Sequence, residues 1–340
     1  MKAGETMDIC LRRYQYYGLR VNKNIYSRMG TLVIPAYTIL TWKEIDMLRH
    51  LNIPLDEGDV EHGSILFLVE SAIKEMKEVC EKIRFSDQLP LHDIREKIIP
   101  IIVEMSQHID LKPIFNHLEQ HDDYTYRHSI GVALLSRLIG KAKGLSSPEI
   151  LELTTAGFLH DIGKAHIPEE ILNKPGKLTR EEFSLVKDHT KFGYDLLRKA
   201  SGLSVRHALV ALQHHEREDG SGYPYGLKGK DIDPYSKIVA VADVFHAMIS
   251  KRSYKEPVPF YTVLKEISDD MYGPLEPSTT LCFLRRIMDM LIGSSVILSN
   301  GSEGKIIMVS STDPVHPLVE VNGKYIDLSK EQTIQLDRIV

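Results

Sequence analysis

Residues 147–164 read SPEILELTTAGFLHDIGK, and the reading of this stretch decides the fold. Ser147 is a favoured helix cap, and Pro148 suits the first helical position, where its missing N–H is not needed. The segment EILELTTAGFL then reads as a helix with a buried apolar side, closed by His160-Asp161. Adjacent helical residues point about 100° apart. At a helix end the two side chains can still converge on one metal edge, an imidazole nitrogen beside a carboxylate, while Gly163 lets the backbone turn away behind them. The plainer alternative is a histidine attracted to the helix C-terminus by the dipole, with the aspartate capping the next turn.

The helical period extends outward from this stretch in both directions. Ile65, Leu66, Val69, Ile73, Met76, Cys80 and Ile83 predict a long amphipathic helix from Ser64. The pattern runs on to about Met290. Thr179-Arg180-Glu181-Glu182 is a capping box, and Asp233-Pro234 opens YSKIVAVADVFHAMI. Before residue 64 the character differs. LRVNKNIY (19–26) and TLVIPA (31–36) are β-prone, separated by Met29-Gly30, and Thr41-Trp42-Lys43-Glu44 caps a short helix ending near Asn52 and Pro54. GDVEHG (58–63) reads as a linker. After residue 294, Asn300-Gly301 and Asn322-Gly323 each separate two apolar runs, the strongest short hairpin signal. The expected organisation is mainly α: a small N-terminal α/β module (1–57), a helical region (64–290) and a small antiparallel β module (294–340), without internal repeats.

Composition narrows the classes of function. With 340 residues, 42 Lys+Arg and 47 Asp+Glu, the net charge is 42 − 47 = −5. A mildly acidic chain without a basic tract argues against DNA or RNA polymers as partners. Cys10, Cys80 and Cys282 are odd in number and far apart, against both a disulfide framework and a thiolate zinc site. The apolar stretch IIPIIVEM (98–105) is far short of the roughly 20 residues that cross a bilayer. No apolar run precedes a small-residue cleavage site at the N-terminus. A cytoplasmic protein with no membrane partner is expected.

Chemistry-bearing residues recur along the helical region. His128 sits in YTYRHSIGVALLSRLIG with Gly131, Val132 and Leu135 on its face, and His189 sits in line with Leu185, Phe192 and Leu196. His214-His215 ends VRHALVALQ behind Val205, Leu209 and Leu212, and Asp243 is flanked by apolar residues in IVAVADVF. A buried carboxylate without a partner costs several kcal/mol, so Asp243 must be paired, protonated or metal-bound. Each histidine alone has a plain reading as a hydrogen-bonded core residue. Together, His128, His160-Asp161, His189, His214-His215 and Asp243 recur at the interval of helical hairpins, so all could face one cavity. Five imidazoles and two carboxylates exceed the needs of one metal and suit two ions bridged by a carboxylate, a site for metal-assisted phosphate-ester hydrolysis.

HSIGVALL, GFLHDIGK, KDHTKFGYDLL, HHEREDGSGYP and VADVF together resemble the HD-GYP family, a branch of the His-Asp metal phosphohydrolases. The resemblance covers about residues 122–255, including ILNKPGKLTREEF, and implies a catalytic core over about 122–270; HHEREDGSGYP is its most specific string. It implies an HD-type helical bundle that hydrolyses cyclic di-GMP to pGpG, and onward to GMP, with two divalent ions, iron or manganese. The implied ligands are His128, His160, Asp161, His189, His214, His215 and Asp243. Asp161 would bridge the ions around a water nucleophile. Lys164 matches the lysine that meets the scissile phosphate, and Arg252 and Lys255 match cations that hold the dinucleotide phosphates. In the loop after His215, Gly220 and Gly222 permit a tight path, and Tyr223-Pro224 offers a rigid wall for a purine face.

This sequence departs from the family pattern at two positions. Tyr124 stands where some members carry a glutamate for a third metal, which favours two ions. His246 stands where the family usually has an aspartate, three residues after the last ligand. Two alternatives stay open: a hydrolase of another cyclic dinucleotide such as cyclic GMP-AMP, and a catalytically weak, nucleotide-responsive interaction protein. The terminal modules suggest regulation, a homodimer or a signalling partner, or simply a cover for apolar surface of the bundle.

Overall fold

The computed structural model describes residues 16–61, 65–86, 88–107, 123–172, 174–250, 260–331 and 333–340. The chain forms two compact units, residues 1–118 and 119–340.

In the first unit, β1 (Arg20–Val21) pairs antiparallel with β4 (Val60–Glu61), and β2 (Ile25–Tyr26) with β3 (Leu32–Ile34). The stretch 58–63 therefore does more than link, since Val60 and Glu61 close a ladder on Val21 and Arg20. Between the strands, α1 (Trp42–His50) starts at the expected capping box, where Glu44 accepts the Thr41 backbone N–H at 3.1 Å. Val21, Ile25, Ile34, Leu40 and Leu48 form a small core. Next comes the long helix α2 (Ile65–Ser86). The expected stripe of Val69, Ile73, Met76, Cys80 and Ile83 is buried, joined by Leu68, Ala72 and Val79, and only Leu66 among its described members is exposed. After α3 (Leu91–Asp93), a π-helical turn at Ile94–Ile98 leads into α4 (Ile99–Met105). The apolar run 98–105 is thus a buried core helix. Among the described residues, no helix is long and apolar enough to cross a membrane.

The second unit is a helical bundle followed by a sheet. Its helices are α5 (Tyr124–Ala142), α6 (Ser147–Leu159), α7 (Glu169–Leu172), α8 (Arg180–Lys187), α9 (His189–Lys199), α10 (Val205–Gln213), α11 (Pro234–Ile249), α12 (Phe260–Asp270) and α13 (Pro277–Asp289). Helices α5 and α11 are buried nearly all round, which marks them as the centre of the bundle, and they pack on each other. Phe245 of α11 anchors the far side through the rings of Phe260 and Phe283. The cap of α6 falls one residue earlier than expected: Ser146 is the N-cap, and Glu149 accepts its backbone N–H at 2.9 Å.

The C-terminal strands form one antiparallel sheet, β8-β7-β6-β5-β9, from β5 (Ser295–Leu298), β6 (Glu303–Met308), β7 (Leu318–Val321), β8 (Lys324–Asp327) and β9 (Leu336–Ile339). Asn322 and Gly323, with φ of 51° and 77°, make the tight two-residue turn that Asn-Gly favours. Asn300-Gly301 sits instead in a longer loop, in which only Gly301 is left-handed.

Candidate metal centre

Most of the expected ligands stand where helices end. His160 is the C-cap of α6, and Asp161 then starts a 3-10 turn over Ile162–His166. His189 is the first residue of α9, and His214 is the C-cap of α10 with His215 just beyond. His128 and Asp243 lie inside α5 and α11. The helix expected to carry His189 on an apolar stripe is in fact broken at Asp188, and Phe192 is exposed. The stripe of α10 also differs: Val205 is exposed, and His207, Ala208, Val210 and Ala211 face inward.

Glycine sets how closely these ends approach. Gly163 has no left-handed φ, so its role is not to turn the chain. A Cβ there would lie 2.0 Å from the His189 carbonyl oxygen and 2.5 Å from the Gly193 nitrogen. Only a residue without a side chain lets the turn after Asp161 dock on α9.

Among the described residues, ligand atoms gather in two groups. One comprises Asp161, His189, His214 and His215; the other comprises His128, His160 and Asp243, with atoms in each group within 4.8 Å of one another. Asp161 reaches both. Its Oδ1 lies 3.1 Å from His189 Nε2 and 3.7 Å from His214 Nε2, and its Oδ2 lies 3.3 Å from His160 Nε2 and 3.7 Å from His128 Nε2. Asp243 also spans the groups, with Oδ1 3.0 Å from His128 Nε2 and Oδ2 3.7 Å from His215 Nδ1. Lys164 Nζ donates to Asp161 Oδ2 at 2.5 Å.

Electrostatics favours the neutral form of three of these imidazoles and the ionised form of both carboxylates. Burial lowers the His128 pKa, pulls His214 down to about 4 and takes His215 well below the ordinary histidine value. Burial by itself would raise both carboxyls. Against it, Lys164 and His160 hold Asp161 well below the carboxylate range, and His128 and His215 do the same for Asp243. His160 differs: burial lowers it, but the neighbouring Asp161 outweighs that and raises it. Neutral imidazoles and ionised carboxylates are the forms that bind metal.

The residues present fit a divalent-metal site. All the donors are imidazole nitrogens and carboxylate oxygens, a set suited to divalent transition metals. His160 Nε2 and Asp161 Oδ1 are buried and meet no hydrogen-bond partner of good geometry, a costly arrangement without an ion between them.

The loop after His215 is built on the same cluster. Tyr223 stacks on the His215 ring, centroids 4.5 Å apart, and Lys187 Nζ lies 5.0 Å from the Tyr223 centroid. A Cβ on Gly222 would lie 2.4 Å from the His215 carbonyl oxygen, so glycine is required there for close approach; Gly220 is left-handed, with φ +83°. The Tyr223-Pro224 peptide is cis. The sequence reading missed Glu216, which is buried and accepts the backbone N–H groups of Tyr225 and Leu227 at 2.8 and 2.9 Å. Arg252 and Lys255 lie outside the described residues.

Residues 105–270 match the family described as HD domain. Over 182 residues the chain is 44% identical to a cyclic di-GMP phosphodiesterase of Thermotoga maritima, covering 52% of this chain and 50% of that protein. Over 160 residues it is 41% identical to the 3'3'-cGAMP-specific phosphodiesterase 1 of Vibrio cholerae, covering 47% of this chain and 35% of that protein. The chain spans about half the length of the curated relatives it matches first. The fold is similar to that of an HDG"Y"P protein from Bdellovibrio bacteriovorus, with a TM-score of 0.51 and 16% identity over 79% of this chain and 96% of that one. Residues 105–270 of this chain accordingly carry the HD domain whose family model they match.

Proposed function

We propose that the chain is a metal-dependent phosphodiesterase that hydrolyses cyclic di-GMP to pGpG and GMP. The observation that carries this reading is Asp161, whose two oxygens face two separate groups of buried histidines. In this proposal two divalent ions, iron or manganese, are held by His189, His214 and His215 on one side and by His128, His160 and Asp243 on the other, with Asp161 shared. Such ions supply Lewis acidity toward a phosphate ester and lower the pKa of water.

The remaining steps fall to the chain's own groups. The charge of Asp161 raises the Lys164 pKa against the opposing effect of burial, so Nζ stays cationic. Its side chain is partly open to solvent, and we assign it to a non-bridging phosphate oxygen and to proton delivery at the leaving oxygen. Gly222, Tyr223 and Pro224 are proposed to wall the dinucleotide. Arg252 and Lys255 are proposed to hold its phosphates by charge-assisted hydrogen bonds. Residues 1–57 and 294–340 are proposed as accessory modules for regulation or self-association. The free cysteines Cys80 and Cys282 agree with a cytoplasmic location.

A second substrate reading, cyclic GMP-AMP, rests on the 41% identity to the Vibrio cholerae protein. One experiment addresses both. The chain is purified without oxygen, its metals are counted, and both cyclic dinucleotides are followed by chromatography beside the His160→Ala/Asp161→Ala variant. The expected outcome is two metals per chain with pGpG or GMP formed from cyclic di-GMP, and both losses in the variant. Faster turnover of cyclic GMP-AMP selects the second reading. Absence of metal under every loading condition, or unchanged turnover in the variant, overturns the site.

A further inference from the structure

Three of the buried histidines are oriented in the same way. Nδ1 of His160, His189 and His214 lies 2.7, 2.6 and 3.0 Å from the backbone carbonyl oxygens of Gly157, Val186 and Ala211. A carbonyl oxygen only accepts, so each Nδ1 carries a hydrogen, which leaves Nε2, the nitrogen that faces Asp161, as the one available to a metal. Helix ends make this possible, because carbonyls there are not all committed to the backbone ladder.

His128 has no such opportunity inside α5, where the preceding carbonyls serve the helix. Its Nδ1 faces instead the Nδ1 of His246, 3.2 Å away, on the next turn of α11 after Asp243. His246 is fully buried. Its ring meets that of His128 edge-on, with centroids 5.1 Å apart. Gly131, one helical turn along α5 from His128, makes the room: a Cβ there would lie 2.0 Å from His246 Nε2. The Ser250 hydroxyl lies 3.1 Å from that same Nδ1 and donates to the His246 carbonyl at 2.7 Å.

Resting on the metal-centre reading above and going beyond it, we propose that His246 is the positioning residue for His128. His246 Nδ1 accepts the hydrogen on His128 Nδ1, and the His246 hydrogen resides on Nε2. This fixes the His128 tautomer that leaves Nε2, beside the oxygens of Asp243 and Asp161, available to a metal. His246 thereby does for His128 what backbone carbonyls do for the other three, and it explains why an imidazole and a glycine face each other across α5 and α11. Such outer partners orient a ligand and raise its basicity, and losing one costs about 10–100-fold in metal affinity.

The test uses the full chain with His246→Leu, which keeps bulk without an acceptor, and His246→Asn, whose side-chain oxygen can take the Nδ1 position. His128→Ala serves as comparator. Chelator competition gives affinity for each bound metal, and nitrogen-15 shifts of labelled histidine give the His128 tautomer in the metal-free protein. In the Leu variant one metal is expected to weaken by about 10–100-fold while the other holds, and the His128 tautomer becomes mixed. Asn is expected to restore both readouts to within a few-fold. Unchanged affinity and tautomer in the Leu variant, or equal losses in Leu and Asn, overturn the role of His246. If His128→Ala also leaves both metals bound as before, the metal-centre reading itself fails.

Discussion

Glu216 receives two backbone N–H groups, from Tyr225 and Leu227, while only 2% of its surface is exposed. Hydrogen bonds to a charged acceptor contribute about 1.5–3 kcal/mol each, and a buried donor left unpaired costs a similar amount. Glu216→Ala strands both donors and frees the segment that carries Tyr223. The expected result is a drop of about 5–10 °C in melting temperature and a KM raised about three- to tenfold. Metal content should not change, because Glu216 belongs to neither ligand group. A KM that stays put would remove the loop from the substrate's path. The sequence showed the histidines and glycines of this string plainly, since their chemistry and spacing are local. It did not show Glu216 turning inward, because EREDG reads as a run of solvated charge until the loop it ties down is seen. A carboxylate directly after paired histidines, followed by a glycine-rich loop with backbone donors to satisfy, was the available signal.

At the scale of elements, what the sequence revealed were the starts of helices. The boxes at Thr41 and Thr179 and the cap at Asp233 form as read, because each is closed within four residues. The ends and phases were harder. Nothing in KDH marks a helix break, yet α8 stops there, because the glycine backbone after Asp161 packs against the first turn of α9. That break is a tertiary effect, and it is what puts His189 at a helix start facing Asp161. Phase errors at Phe192 and Val205 have a similar origin, since a stripe read from apolar spacing is blind to small and polar residues that pack inward, such as Ala208 and His207. The cap of α6 gives a clean test of separability. Ser146 and His160 stand at opposite ends of that helix. Ser146→Ala should cost about 1 kcal/mol, a fall of about 2–4 °C in melting temperature, with metal stoichiometry intact. Loss of metal in this variant would mean that α6 is held in place by its N-terminus more than by its packing.

For the whole molecule, the division into units 1–118 and 119–340 puts every proposed ligand in the second unit and the only tryptophan, Trp42, in the first. Trp42 stacks on Tyr17 with centroids 4.1 Å apart, so its fluorescence reports the first unit. Far-UV circular dichroism follows helix content, most of which, among the described residues, is in the second. A ligand that binds only folded protein stabilises the unit that holds it by about 2.7 kcal/mol at a hundredfold excess over Kd, or about 5–10 °C for a unit of this size. Removing metal with a chelator should therefore lower the melting transition seen by circular dichroism by about that amount and leave the Trp42 transition where it was. Readding metal should restore the first without moving the second. Parallel shifts of both signals would show that the two units unfold as one cooperative body, and a circular dichroism transition that ignores the chelator would count against metal binding by the buried His-Asp cluster.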